Sequence, residues 1–286
     1  MFDTRYHALS LVAVLIALVV GLLLGIAVGD ANLVSSGEKT LRRSLNHEVV
    51  SQQTANARLS DQLAFRRRFE GLLYPEVVAG RLTGKHIGLL FLGSPSDQVN
   101  ALVRAALEGS GADLGLVAVV REPPDLGGLG ARAGASRYST LASRPDLVRP
   151  FGMRIGVQLA RGGPQLDQQL LGRVRGRLLS SYNGSLQTLE GVVVMRAGSG
   201  RGPAGATSDL ETGLMSGLTA TNVPVVGVET SHTAPSQVTW YRQQNLASVD
   251  NLDDLAGQAA LVLALGGAHG AYGVKSTAES LLPPAG

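Results

Sequence analysis

Between Ala8 and Val28 the chain runs for twenty-one residues without a charge, and Ser10 carries the only polar side chain in the run. A helix needs about 20 such residues to cross a hydrocarbon core of about 30 Å, so the segment is predicted to span a membrane. Within it Ala13, Ala17, Gly21, Gly25 and Gly29 recur every four residues. Residues at that spacing share one helical face, and small ones let two backbones approach closely. The stripe therefore predicts a pairing surface, and everything beyond residue 30 is read as held beside a lipid bilayer.

The run is longer than the 7–15 apolar residues of a typical signal peptide. Ala27-Val28-Gly29 offers a cleavage-like spacing, but the length favours an uncleaved anchor over residues 8–29. Residues 1–7 carry Arg5 and fit a cytoplasmic tail, with the bulk of the chain outside. The expected location is the plasma membrane, in a single pass.

About 255 residues follow the anchor, enough for a helical stalk and one domain with a full core. The absence of cysteine excludes disulfides, thiolate metal sites and cysteine nucleophiles. The net charge is +3, and only Lys39, Lys85 and Lys275 are lysines. The arginines are scattered, aromatics are few and no recognition motif is present, so no nucleic-acid partner is expected.

From Leu41 to Leu73 there is no proline and a single glycine, Gly71. Leu45, Val49, Asn56, Leu59 and Leu63 fall on the a and d positions of a heptad, which predicts a coiled-coil stalk over residues 41–74. Asn at an a position fixes parallel dimers. Arg66 would occupy a d position, and the competing reading is one amphipathic helix lying on its own domain. Pairing is preferred because the anchor stripe points the same way. Residues 30–40 contain Asn32, Ser35, Ser36 and Gly37, poor helix formers, and are expected to be a joint. Arg66, Arg67 and Arg68 are read as a solvated face.

Residues 75–286 alternate differently. Lys85–Leu92 is an apolar run, Gly93-Ser-Pro-Ser-Asp97 is a turn with a cap, a helical pattern follows to Gly109-Ser-Gly111, and Asp113–Val120 is apolar again. That is a βαβ unit. Helices are further predicted over 166–179, 208–218 and 253–265, and strands over 191–195, 224–228 and 247–249. Valine runs without polar alternation indicate strands covered on both faces. The fold class is α/β: a small, doubly wound, mostly parallel domain behind the stalk, with residues 121–150 as a surface excursion.

No residue combination reads as catalytic. Ser94 or Ser96 is expected to cap a helix, since neither GxGxxG nor a P-loop lysine is present. Gly198–Gly205 reads as a loop. Glu229, Ser231 and His232 lack an elbow motif or third partner, and Asp250, Asp253 and Asp254 read as caps for the last helix. For copper, Met1, Met153, Met195 and Met215 and the five histidines His7, His47, His86, His232 and His269 are the candidate ligands. No two of these histidines lie within four residues of each other, so the sequence shows no dedicated copper site.

Arg5-Tyr-His7-Ala-Leu-Ser10-Leu-Val-Ala13, running into Ala17-Leu-Val-Val-Gly21 and Gly25, resembles the start of the actinobacterial copper transport protein B (MctB-like) family. Ser248-Val-Asp-Asn-Leu-Asp253, Gly257-Gln-Ala-Ala-Leu-Val-Leu-Ala-Leu265 and Tyr272-Gly-Val274 are similar to its end. The resemblance covers nearly the whole chain. It implies a non-enzymatic envelope protein in copper homeostasis or efflux, acting as an oligomer, without a resident cofactor and with copper involved by resemblance only. The family also includes SteB-like proteins, anchored partners in cell-wall control. This gives the alternative expectation: a dimeric scaffold that recruits an envelope protein partner and does no copper chemistry itself. One helix cannot form a channel alone, and a stripe of Ala and Gly offers no polar lumen.

Overall fold

The computed structural model describes residues 4–28, 31–185, 187–197 and 205–284. The chain divides into two compact units, Met1–Arg67 and Arg68–Gly286.

The first unit is helical. Helix α1 spans Thr4–Val28, and α2 spans Ala31–Val78, reaching into the second unit. Tyr6–Ala27 is long and apolar enough to cross a membrane, with mean hydropathy 3.0, and none of it is buried within the protein. Gly29 and Asp30 lie outside the described residues. From Ala31 onward the segment expected as a joint has helical backbone. Its poor formers each cost less than about 1 kcal/mol, which the long helix propagating from residue 41 can absorb.

Helix α2 also continues past the expected stalk end at residue 74. Pro75 lacks the N–H that would bond the Gly71 carbonyl, yet the helical pattern resumes with the Ala79 N–H donating to the Pro75 carbonyl at 2.8 Å. Tyr74, Val77 and Val78 then pack into the core of the second unit. That burial outweighs the single lost hydrogen bond.

The second unit is built on a seven-stranded sheet. Its strands are β1 His86–Leu92, β2 Asp113–Val120, β3 Leu179–Gly184, β4 Gly191–Arg196, β5 Val225–Val228, β6 Ala247–Val249 and β7 Ala271–Tyr272. They lie in the order β3-β2-β1-β4-β5-β6-β7, and every neighbouring pair is parallel except β2 with β3. The helices are α3 Asp97–Ser110, α4 Leu126–Arg132, α5 Val148–Arg161, α6 Leu170–Leu178, α7 Ala206–Thr219, α8 Val238–Gln243 and α9 Leu255–Leu265. Side chains alternate across each strand, so β1 sends Leu90 and Leu92 to one core and Leu89 and Phe91 to the other. The first core lies under α5, α6 and α7, the second under α3 and α9. The doubly wound α/β expectation holds, with one antiparallel edge.

Three predicted segments differ. Leu166–Gln168 is a 3₁₀ turn and α6 starts at Leu170, while Leu179 already opens β3. Residues 121–150 are not a surface excursion: they form α4 and bury Leu129, Tyr138, Leu141 and Val148 in the first core. Their apolar residues follow no single period, because short helical turns each bury one side chain. Helix α5 was hidden by Pro150, which sits in the first turn where a missing N–H is harmless, and by Gly152 and Gly156.

Those glycines have a packing reason. Helices α5 and α7 cross so closely that a Cβ on Gly152 would lie 2.6 Å from the Leu210 carbonyl oxygen and one on Gly156 2.3 Å from that of Leu214. Reciprocally, Cβ atoms on Gly213 and Gly217 would meet the Arg149 and Met153 carbonyls at 2.2 and 2.1 Å. Two Gly-x-x-x-Gly faces interlock backbone against backbone.

Candidate functional site

Strand order reverses between β1 and β4: from β1 the chain winds outward through α3 to β2, and from β4 the opposite way through α7 to β5. In such sheets the crevice at the carboxyl ends of the two diverging strands is where ligands bind. Here it is bordered by Gly93 after β1 and by Arg196, the last residue of β4. Ser96 accepts the Val99 N–H at 3.2 Å and caps α3, as expected, and Gly111 stops that helix in the left-handed region at φ 80°.

Arg196 is only 6% exposed. A buried guanidinium must be paired, and its partners come from three elements. Its Nε donates to Glu211 on α7 at 3.2 Å, and Nη1 donates to the Gln237 side-chain carbonyl at 2.5 Å. Its guanidinium carbon lies 4.8 Å from the ring centre of the half-buried Trp240 on α8. The Arg196 amide donates to the Tyr241 hydroxyl at 3.0 Å, which donates onward to the Val228 carbonyl at 3.1 Å. Burial pushes the Tyr241 phenol up, so it stays a neutral donor. Its ring lies across β5, where a Cβ on Gly227 would be 2.3 Å from the ring, so only glycine fits there.

Glu211 is 1% exposed and is pushed up to about 8. Burial is the main cause. Arg196 opposes it, and the neighbouring Glu122 carboxylate adds to it by repulsion and hydrogen bonding. Glu122, between β2 and α4, has its Oε1 shielded from solvent without a hydrogen-bond partner.

A second web ties down the loops after β5, β6 and β7. Buried Glu229 accepts from Ser236 Oγ at 2.7 Å, the Gln237 amide at 2.5 Å and Lys275 Nζ at 2.6 Å. Lys275 also donates to the Thr230 and Thr233 carbonyls at 3.0 and 2.8 Å. Asp250 accepts the Val274 and Lys275 amides at 2.8 and 3.1 Å. Asp253 accepts the Ser231 amide at 2.7 Å and its hydroxyl at 2.5 Å. Burial opposes ionisation of Asp253, and the two Ser231 hydrogen bonds outweigh it, so its pKa is lowered.

The acidic residues expected to cap the last helix therefore do other work. Asp250 and Asp253 clamp neighbouring loops, and Asp254, at the cap position of α9, makes no side-chain capping bond. Ser231, His232 and Asp253 do converge, with His232 Nδ1 at 3.0 Å from Ser231 Oγ. The order is wrong for a nucleophile relay, because the carboxylate holds the serine proton while the histidine is 92% exposed on its side chain. Gly198–Ala204 lies outside the described residues, and Gly205 occupies the cap position before α7.

Among the described residues no group of three His, Cys, Asp or Glu side chains is placed to hold a metal ion. Met215 is fully buried and Met153 about half exposed. A cleft of about 360 Å³ lies at the opposite, amino edge of the sheet, lined by Asn222, Pro224, Asn245 and His269. It holds none of the buried charges, so the carboxyl-edge network is the better candidate. On α1 and α2 the expected pairing residues are present as exposed surface. Gly21 and Gly25 have nothing within 4 Å, and Leu45, Val49, Leu59 and Leu63 are about half exposed. Gly29 falls outside the described residues.

Sequence reasoning missed Arg196, Glu211, Gln237, Trp240 and Tyr241. The available signal was a charge closing the apolar strand GVVVMR and a single tryptophan in the chain.

A family described as copper transport outer membrane protein, MctB, matches residues 1–283. The chain belongs to this family. No curated protein matches it significantly. The family is described as one of copper transport.

Proposed function

We propose that this MctB-family chain is a single-pass plasma-membrane protein, amino terminus in the cytoplasm, that serves copper transport or homeostasis as a homodimer. The family match over residues 1–283 carries this reading. Copper is cargo here, and the protein's own part is non-enzymatic. Ala13, Ala17, Gly21, Gly25 and Gly29 pair the anchors, and Leu45, Val49, Asn56, Leu59 and Leu63 pair the stalks. The exposure in a single chain of those that the structure describes, all but Gly29, supports both surfaces.

A lone helix cannot enclose a pore, and an outer-membrane span would need a closed antiparallel barrel. The sheet here is open, mostly parallel and covered on both faces. Copper passage therefore calls for an assembly of chains or an envelope partner.

The test is a deletion strain complemented with the full chain or with a chain lacking residues 1–29. Deletion is expected to change cell-associated copper and copper tolerance, with only the anchored chain restoring both. Unchanged copper content and tolerance would overturn the copper role. Crosslinked recovery of a wall-modifying partner under those conditions would favour the scaffold alternative instead.

A further inference from the structure

Among the described residues, the cluster of Glu122, Glu211 and Arg196 sets two carboxyl groups against one guanidinium. Arg196 brings one positive charge, and two carboxyl groups face it: Glu211 from α7 and Glu122 from the segment before α4. Both Glu211 oxygens lie near Arg196 Nε, at 3.2 and 3.4 Å. Among the described residues no cation pairs with Glu122, and its Oε1 is shielded from solvent without a donor. Two ionised carboxylates in contact in a desolvated site repel strongly, and an orphaned buried carboxylate oxygen has lost its water without gaining a donor. One proton removes both problems. Bound to Glu211, it donates to Glu122 and leaves the trio neutral.

We propose that Glu122 and Glu211 share one proton, and that this proton latches the segment before α4 into the crevice between β1 and β4. The latch is built into the backbone opposite. Gly93 adopts φ +88°, and a Cβ there would lie 2.8 Å from Glu122 Oε2, so the position leaves room for the carboxylate. Losing the proton leaves two negative charges against one guanidinium. Glu122 is the less buried member, whereas Glu211 is held by Arg196, so Glu122 swings out and exposes the crevice.

Among the described residues, the charged and titratable groups facing Glu211 are Arg196 from β4, Glu122 from the segment before α4 and Tyr241 from α8. Glu229, after β5, faces Tyr241 and is neutralised by Lys275. Tyr241 stays protonated throughout the relevant range, so the carboxyl pair is the element that switches. The pH range is set by Glu211, pushed up to about 8. The sign follows: the folded state holds this proton more tightly than the unfolded chain does. The associated stability is complete below the ordinary carboxyl range and lost as pH rises through about 8.

Trp240 is the only tryptophan and sits on the Arg196 guanidinium, so its fluorescence reports on the cluster. The full chain in detergent or nanodiscs is titrated from about pH 6 to about pH 10, with far-ultraviolet circular dichroism recorded alongside. The wild type is expected to show a reversible emission change near pH 8 with unchanged dichroism. Glu211→Gln, which keeps a neutral donor, abolishes it. Glu122→Gln removes the repulsion and moves the midpoint down by about one pH unit or more. A flat wild-type trace, an emission change that coincides with loss of dichroism, or a midpoint unmoved in Glu122→Gln would each overturn the proposal.

Discussion

Helix α1 and the α5–α7 pair carry the same sequence device and use it under opposite conditions. In α5 and α7, Gly152, Gly156, Gly213 and Gly217 sit four apart, and each leaves room for a carbonyl of the facing helix. In α1, Ala13, Ala17, Gly21 and Gly25 also sit four apart, yet nothing approaches the glycines within 4 Å. What surrounds the stripe makes the difference. Phe151, Ile155 and Leu159 beside the α5 glycines are driven out of water into a core shared with α7, so water itself presses the two backbones together. Helix α1 is apolar on all sides, and in a bilayer lipid would satisfy its flanks as well as another helix. Spacing therefore specifies how a partner fits, while the solvent decides whether a partner is required.

The largest effect is expected from filling the occupied stripe. Gly217→Val places two methyl groups where even a Cβ would stand 2.1 Å from the Met153 carbonyl, and should destabilise the distal domain by about 3 kcal/mol or more. Urea unfolding of the full chain, followed by Trp240 fluorescence, reads this directly. A variant of wild-type stability would show that the crossing is looser than drawn and would remove one side of the comparison.

Filling the unoccupied stripe should act on association alone. Gly21→Leu with Gly25→Leu is expected to weaken self-association in bilayers about tenfold, or about 1.4 kcal/mol, and to leave the unfolding midpoint of the distal domain where it was. Förster transfer between labelled chains in liposomes measures it. Undiminished transfer would mean that α1 pairs through another face or not at all.

Smallest in energy is Asn56→Ile in the stalk. An apolar residue at an a position should raise the thermal midpoint of the paired stalk while broadening its oligomer distribution, because the register device is lost. Sedimentation equilibrium of the detergent-solubilised chain distinguishes the outcomes. A dimer as homogeneous as the wild type would place Asn56 outside the seam.

The βαβ unit from His86 to Val120 was legible because each boundary had local chemistry: an apolar run, Ser96 to cap, Gly111 to stop. Strand β6 was legible for the same reason. Helix α5 was not, since its proline and glycines read as loop until α7 is laid against them. The candidate site was less visible still. Glu229 drew attention as a catalytic group because its neighbours Ser231 and His232 are close in sequence. Its real partner, Lys275, arrives from beyond β7. Arg196 and Glu211 are fifteen residues apart, and Glu122 is more distant again, so no motif could join them.

By itself the sequence determined the apolar helix at the amino terminus, the βαβ unit from His86 to Val120, the strands β4 to β6 and the two-sided burial of the sheet, because these follow from length, periodicity and caps within short stretches of chain. Only the tertiary structure decided which glycines meet a facing helix of the same chain and which carboxylates meet Arg196. Close packing and charge balance depend on groups that become neighbours only after the sheet has reversed direction between β1 and β4.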